Sequence, residues 1–140
     1  MENEIHINNI KIWLNRNVIY CDIYNDFDKN YSLDGVEDLF YEAISILSNE
    51  TYLPVIFNFS ELNTLYGLRL FRILSNSLKI ENAVLSKVFL VKKNKHKVLL
   101  SLCQIFYGFN FSNLIFKDSN LAIEYSSENY TVFNSLSCDG

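Results

Sequence analysis

The organisation of the chain is decided by residues 52–74, which read YLPVIFNFSELNTLYGLRLFRIL. Residues 55–59 are mostly apolar and rich in aromatic and β-branched side chains, which is typical of a strand buried on both faces of a parallel sheet. Polar Ser60, Asn63 and Thr64 indicate a short loop after this strand. Large apolar side chains then recur at helical spacing, at Leu65, Leu68, Phe71, Leu74 and Leu78. The stretch therefore predicts a central strand that leads almost directly into an amphipathic helix.

The turn between this strand and this helix is the first candidate for a functional site. Sites in α/β folds usually lie at the carboxyl ends of the strands, where helix N–H groups are free. Thr64 has two interpretations: an N-cap whose hydroxyl accepts a backbone N–H, or a phosphoacceptor whose added charge suits a helix N-terminus. Tyr66 and Arg69 lie in the first turns, away from the apolar stripe. They are either the rim of a protein-docking surface or an ordinary half-buried tyrosine and a solvated arginine.

Hydrophobic patterns on both sides of this stretch predict the rest of the fold. Two strand-like runs, residues 10–14 and 18–24, flank Asn15-Arg16-Asn17, whose length and asparagines favour a hairpin turn. The predicted order is ββαβαβαβα, which is an α/β fold with a mixed, mostly parallel central sheet of about five strands and helices packed on it. The residues proposed as helix caps are Ser32, Thr64 and Gly108.

The chain of 140 residues has the length of one domain. We assign residues 1–129 to a single α/β domain and residues 130–140, which show no clear periodicity, to a C-terminal tail. The longest mainly apolar run, residues 98–111, is shorter than the roughly 20 residues of a membrane-spanning helix, so no membrane span is expected. Glu2 and Glu4 argue against a signal peptide, which predicts a cytoplasmic protein.

Cysteine and histidine content argues against several kinds of enzyme site. Cys21, Cys103 and Cys138 are far apart and include no Cys-x-x-Cys pair, so neither a disulfide framework nor a metal site is expected. His6 and His96 are the only histidines, and neither lies in a pattern typical of a catalytic triad. The four glycines of the chain form no glycine-rich phosphate loop. We therefore expect no catalytic residue, no metal and no cofactor.

Charge is unevenly distributed along the chain. The net charge is −4, yet residues 51–100 hold eight basic and two acidic side chains. The predicted loop at residues 92–97 is the most basic segment, and its lysines either bind phosphate groups or are simply solvated. No aromatic residue is interleaved with these lysines, so no nucleic-acid partner is expected. The candidate anion-binding residues are Lys92, Lys93, Lys95 and Lys97.

The order of elements, with a hairpin first and a polar turn after the third strand, resembles the STAS family, named for sulfate transporters and anti-sigma factor antagonists. The resemblance spans roughly residues 10–128, and its local support is the run IFNFSEL at residues 56–62, followed by Gly67. This run is similar to the family's strand that ends in an Asp-Leu-Ser type sequence. The resemblance therefore implies the same fold class as the hydrophobic pattern does.

The family's phosphorylation motif is not present in this chain. Anti-sigma factor antagonists carry an Asp-Ser-Ser-Gly type motif at this turn, and a kinase partner phosphorylates one of its serines. Here Thr64-Leu65-Tyr66 precede Gly67, so phosphorylation of a serine does not carry over and Thr64 is the nearest hydroxyl. Asn63-Thr64 is similar to an Asn-Thr found at this turn in some STAS-like regulatory phosphoproteins.

The resemblance implies a non-catalytic regulatory module of bacterial type that binds a regulatory protein through the turn and helix of residues 63–72. The expected partner-binding residues are Asn63, Thr64, Tyr66, Arg69 and Arg72. A second hypothesis is a carrier of a small ligand or lipid, with an apolar cavity between the sheet and the first two helices. A homodimer is a further hypothesis, because the first hairpin would leave a sheet edge exposed.

Overall fold

The computed structural model describes residues 3–7, 9–24, 33–107 and 113–138. Six strands and five helices lie in these residues. The strands are β1 Glu4–Ile7, β2 Ile10–Asn15, β3 Val18–Ile23, β4 Pro54–Asn58, β5 Ser86–Leu90 and β6 Asn113–Phe116. The helices are α1 Leu33–Ser48, α2 Thr64–Asn76, α3 Leu78–Ala83, α4 Asn94–Tyr107 and α5 Ser119–Cys138. Ser32 and Gly108, which we proposed as helix caps, lie outside the described residues.

The six described strands form one mixed sheet in which the strand order follows the chain order. β1, β2 and β3 are antiparallel neighbours, whereas β3, β4, β5 and β6 run parallel to one another. Parallel neighbours need crossover connections, and right-handed crossovers that all step in the same direction place their helices on one face of the sheet. The α/β class and the β2–β3 hairpin are confirmed.

The order of elements differs from the prediction by one strand and one short helix. β1 forms where Ile5, His6 and Ile7 alternate only briefly, and it pairs with β2 so that Ile5 lies opposite Ile12. The strand is four residues long, too short for alternation to identify, but Ile5 packs against the core from this position. The outer strands of the described sheet are β1 and β6, so the edge expected at the hairpin belongs to β1.

The β2–β3 hairpin turns through two residues in the left-handed region. Asn15 pairs with Val18, and Arg16 and Asn17 between them have φ angles of 50° and 66°. Two consecutive positive φ angles in a two-residue loop are typical of a type I′ turn, whose twist matches that of the strands. The hairpin is as predicted, but the left-handed residues are Arg16 and Asn17, so Asn15 is the last residue of β2.

Replacing Arg16 with asparagine and Asn17 with glycine should raise the free energy of unfolding by about 1 kcal/mol. The reason is that an arginine is strained at positive φ, whereas Asn-Gly is the preferred pair in a type I′ turn. Chemical denaturation of the double variant measures the gain. Asn15→Gly is the matched control, and it should destabilise the protein because Asn15 has strand geometry. If the double variant is no more stable than the wild type, Arg16 is not strained in this turn.

β4 is the central strand that the opening stretch predicts. It runs parallel to β3 on one side and to β5 on the other, with Val55 opposite Ile19 and Lys87. Val55, Ile56 and Phe57 are at most 3% exposed, so both faces of the strand are covered. Because side chains alternate along a strand, Val55 and Phe57 point to the face covered by α1 and α2, and Ile56 points to α5.

Phe89 of β5 lies at the centre of an aromatic cluster on the α1 and α2 face. Its ring centroid is 5.1 Å from that of Phe57, 5.5 Å from that of Phe59 and 4.8 Å from that of Phe71 in α2. Phe59 and Phe71 meet it edge to face, a geometry that the ring quadrupole favours. All four rings are buried, and the cluster holds α2 against β4 and β5.

The helical segment after β4 is divided into two helices. The apolar spacing from Leu65 to Leu78 predicts one helix, but Ser77 is extended and its side chain accepts the N–H of Ile80 at 3.2 Å, so α3 starts there. Leu65 and Leu78, which were expected in the buried stripe, are 56% and 70% exposed. Leucine and isoleucine residues occupy most sides of α2, and periodicity alone therefore does not identify the buried side.

A buried lysine lies at the C-terminus of α2. Lys87 is 2% exposed, and its Nζ donates to the carbonyls of Leu74 and Ser75 at 3.3 and 2.8 Å. The amide of Asn113 also donates to the Ser75 carbonyl, at 3.2 Å. The last carbonyls of a helix have no partner within the helix and carry its negative end, so a cation here is favourable. Burial lowers the pKa of Lys87, and the negative charge of Glu81 acts against this shift.

The last helix continues past the point where we placed the start of a tail. α5 extends through Cys138, so the expected boundary after residue 129 lies inside a helix. Its first half covers the second face of the sheet through Ala122, and the ring of Phe133 meets that of Tyr52 at 6.4 Å. Polar residues interrupt the hydrophobic periodicity of residues 130–138, so the sequence pattern does not predict a helix there. Neither α5 nor another helix in the described ranges has the length and apolar character needed to cross a membrane.

Candidate functional site

The loop between β4 and α2 is anchored to the C-terminal edge of the parallel strands. The N–H of Phe59 donates to the carbonyl of Leu90 at 2.8 Å. The side chain of Asn58 accepts the N–H of Ser60 at 3.0 Å and donates to a carboxylate oxygen of Asp22 at 2.9 Å. These bonds tie the loop to β3 and β5 and so position the first turn of α2.

Asn63 is the N-cap of α2, and the assignment of this role to Thr64 was wrong. The Oδ1 atom of Asn63 accepts the N–H of Tyr66 at 2.9 Å, and its carbonyl accepts the N–H of Gly67 at 2.9 Å. Asn63 has the extended backbone that a cap needs, whereas Thr64 is already the first helical residue. The hydroxyl of Thr64 is therefore not used for capping.

Thr64 instead contacts the start of another helix. Its Oγ1 atom lies 2.8 Å from Nε2 of His96, 32 positions away in sequence, and the tautomer of the imidazole decides which group donates. The contact joins the N-termini of α2 and α4, which follow the adjacent strands β4 and β5. Sequence reasoning gave His96 no role. The signal that could have identified it is its place directly after a strand that neighbours β4.

The predicted basic loop is partly helical. Lys92 and Lys93 lie in the turn after β5, but α4 begins at Asn94, so Lys95 and Lys97 belong to its first turn. Lys92, Lys93 and Lys95 are exposed and Lys97 is half-buried. Cations at a helix N-terminus oppose the helix dipole, so this end of α4 would be stabilised by a nearby anion. Through the contact of His96 with Thr64, this basic segment lies at the same edge of the sheet as the start of α2, and anion binding itself stays a prediction.

The side chains expected to bind a partner differ in exposure. Arg69 and Arg72 are exposed on α2, one turn apart, and Leu65 lies one turn before Arg69. Tyr66 is half-buried and packs against the hydrophobic core. Arg72 also acts on Cys103 of α4: burial raises the pKa of that thiol, and the arginine charge partly opposes the rise. Arg69, Arg72 and Leu65 can reach a partner directly, whereas Tyr66 mainly supports the fold.

A row of exposed apolar side chains runs along α4, which packs beside α2. We call it the α4 outer face; its exposed fractions are 49% for Val98, 42% for Leu102, 69% for Ile105 and 77% for Phe106. These four residues belong to the apolar run at residues 98–111, and nothing in that run indicates that they are exposed. The buried side of α4 carries Leu100 and Cys103, so the helix is apolar on opposite sides and its pattern does not distinguish them.

The crevice between α2 and α4 is narrow. It is lined by apolar side chains together with Thr64 and His96, and its volume of about 10 Å³ is space for about one water molecule. Pockets for drug-sized ligands or lipids are roughly 300 Å³ or larger. This crevice therefore gives no support to a lipid carrier that would use it.

Two cysteine thiols, Cys21 of β3 and Cys103 of α4, lie in the hydrophobic core. Cys21 and Cys103 are buried, and burial raises the pKa of both thiols, so neither is a ready nucleophile. Among the residues that the structure describes, no three His, Cys, Asp or Glu side chains are grouped so that they could hold a metal ion. The site combines two helix N-termini, exposed cations and an adjacent apolar helix face.

Comparisons with models of protein families, with curated proteins and with solved structures find no match to this chain.

Proposed function

We propose that the chain is a non-catalytic, STAS-like regulatory module that binds a partner protein through the start of α2 and the adjoining start of α4. The observation that carries the proposal is the 2.8 Å contact between Thr64 and His96. Because of this contact, the predicted binding residues of α2 share one surface with the lysines of α4. Asn63 and Thr64 form the centre of this surface, and Arg69 and Arg72 extend it along α2.

The chemistry of the surface favours a partner that is both acidic and apolar. Lys92, Lys93 and Lys95 are exposed at one end, and Arg69 and Arg72 along the side. Exposed leucine and phenylalanine side chains lie beside them on α2 and the α4 outer face. Contiguous apolar patches next to charged groups are typical of protein-docking surfaces, and arginine is enriched in them. Acidic groups on the partner would pair with the cations while its apolar groups cover the helices.

Phosphorylation of Thr64 would act as a switch at the centre of this surface. A phosphate adds close to two negative charges, which suit the N-terminus of α2 and the nearby lysines of α4. It would also replace the hydroxyl contact with His96 and reduce the attraction for an acidic partner. The proposal therefore includes a partner that is released when Thr64 is modified.

The test is affinity purification from the native cell with Arg69→Glu/Arg72→Glu, compared by quantitative mass spectrometry with the wild type. We expect the captured partner to fall by at least tenfold, because the change reverses charge at the proposed surface and central contacts dominate binding energy. Lys117→Glu is the control, since Lys117 is also exposed but follows β6. Thermal melting should be nearly unchanged in both variants because the altered side chains are exposed.

Two further results bear on the proposal. Thr64→Glu should weaken capture and Thr64→Gln should not, since only the former adds charge. Light scattering of the purified protein tells whether a second copy of the chain occupies the surface. Equal capture by the wild type and the double arginine variant would show that the docking surface is elsewhere.

A further inference from the structure

A larger cavity lies on the opposite face of the sheet, under the start of α5. Its volume is about 270 Å³, and it is bounded by the C-terminal ends of β3, β4 and β5. Among the described helices, α5 packs on this face and lies chiefly over β4 and β5, and the described residues leave the space beside it toward β2 uncovered. The cavity is separated from the proposed partner surface by the full thickness of the sheet.

One wall of the cavity is aromatic and its floor is apolar. The ring of Tyr20 stacks on that of Trp13 across the strand pair, with centroids 5.1 Å apart and planes inclined by 13°. Ile56 and Leu90 form the floor, and Ile123 closes the side formed by α5. A flat apolar group of moderate size fits such a lining.

A carboxylate is held at the polar end of the cavity. Asp22 is half-buried, and one of its oxygens accepts a hydrogen bond of 2.9 Å from the amide of Asn58. Asn58 is itself fixed by the N–H of Ser60, so the carboxylate is held in one orientation. An ionised carboxylate has about four acceptor sites in two oxygens, and a ligand can use those that Asn58 leaves.

The charge of this carboxylate is not neutralised by a close cation of the described chain. No lysine, arginine or histidine nitrogen among the described residues lies within 4 Å of Asp22. Lys11 is directly opposite Asp22 in the β2–β3 pair, but its Nζ lies 4.8 Å from the ring centroid of Trp13 and 3.8 Å from a carboxylate oxygen of Glu4.

The start of α5 does not supply the missing positive charge either. Its first N–H groups are taken by Asp118, whose Oδ1 accepts from Asn120 at 2.8 Å and from Leu121 at 3.4 Å. The cavity thus presents an oriented negative charge at one end and aromatic and aliphatic surface along the rest.

We propose that this cavity binds a small organic cation, namely an amine attached to a flat apolar group. The ammonium group donates to Asp22 in a charge-assisted hydrogen bond. The apolar group lies between Tyr20 and Ile123, where the tyrosine ring also attracts the positive charge. This inference does not depend on the proposed partner binding, because no residue of the partner surface lines the cavity.

The single tryptophan of the chain, Trp13, lies in the cavity wall and makes its fluorescence a direct probe. The experiment titrates the full chain with benzylamine, benzyl alcohol and benzoate at equal ionic strength. Benzylamine should give a saturable change and bind about tenfold or more tightly than the other two, which is the usual advantage of a hydrogen bond to a charged group. No saturation, or equal affinity for the three compounds, would overturn the proposal.

Three variants test whether benzylamine binds in this cavity. Asp22→Asn keeps the size of the side chain and should remove the preference for benzylamine. Glu61→Gln makes the same change of charge at an exposed position near α2 and should keep it. Ile123→Phe, which fills the cavity without changing Asp22, should abolish binding, with circular dichroism confirming that the variant folds. A preference that persists in Asp22→Asn or Ile123→Phe would show that the amine binds elsewhere, and would overturn the proposal.

Discussion

Replacing Phe89 with alanine should lower the free energy of unfolding by about 3–5 kcal/mol. Phe89 has no exposed surface and contacts the rings of Phe57, Phe59 and Phe71. The change removes buried apolar area and leaves a cavity that these rigid rings fill only in part. Domains of this size are stable by roughly 5–15 kcal/mol, so the variant would lose a large share of its stability. Urea denaturation followed by circular dichroism measures the loss.

Phe106→Ala is the matched control for this prediction. Phe106 is 77% exposed on the α4 outer face, so the same deletion of a benzyl group should change the free energy of unfolding by no more than about 0.5 kcal/mol. A loss at Phe106 as large as that at Phe89 would mean that the α4 outer face is covered in solution, for example by a second copy of the chain. A small loss at Phe89 would contradict the central position of its ring.

Replacing Lys87 with alanine should lower the free energy of unfolding by about 2–4 kcal/mol. The variant loses two hydrogen bonds to the carbonyls of Leu74 and Ser75 and leaves a cavity where the four-carbon stem was packed. The variant also no longer buries the ammonium group of Lys87, which offsets part of the loss in the free energy of unfolding. Lys87→Met fills most of that cavity, so it should lose less than Lys87→Ala, and the difference between the two measures the packing contribution.

Lys79→Ala is the control for the loss of a lysine as such. Lys79 is exposed and forms an ion pair with Asp38, and exposed ion pairs contribute little to stability. We expect no significant change in the free energy of unfolding for this variant. If Lys79→Ala and Lys87→Ala were equally destabilising, the helix-capping role of Lys87 would be wrong.

The pH dependence gives a second readout for Lys87. Burial lowers its pKa, so between that lowered pKa and the ordinary value for lysine the unfolded chain binds more protons than the folded chain. The contribution of Lys87 to the free energy of unfolding therefore rises with pH in this window and is smallest below it. The stability difference between the wild type and Lys87→Ala should grow as the pH is raised toward 10.5, and a flat difference would contradict the burial of the ammonium group.

The sequence is most informative where one residue pattern has one physical explanation. The apolar run before Asn58 is short, rich in β-branched and aromatic residues and flanked by turn residues, which favours a strand buried on both faces. The hairpin follows from two strand-like runs that a short turn separates. Together with the helical spacing that follows Thr64 and the later alternation of strands and helices, these patterns predict the α/β class and the position of the polar turn before α2.

The sequence is least informative where several explanations fit the same pattern. α4 carries apolar residues on opposite sides, and only packing against Leu100 and Cys103 makes one side the interior. Lys87 directly precedes the apolar run at residues 88–91, and nothing local in the sequence indicates that helix carbonyls lie above it. The contact of Thr64 with His96 joins residues that only the sheet brings together. Tertiary structure decides which side of a helix is buried and which distant polar groups meet, and neither appears as periodicity in the sequence.

The strand order of the sheet has a consequence for how the protein acquires its structure. Every strand of the described sheet pairs only with the strand before or after it in chain order, but the parallel pairs, such as Ile19 with Val55, still close long crossover connections. Closing such connections costs conformational entropy, so parallel pairing forms more slowly than a hairpin joined by a tight turn. As the chain leaves the ribosome, the hairpin can form first and each later strand can add to an edge that already exists, with α5 arriving last to cover the second face.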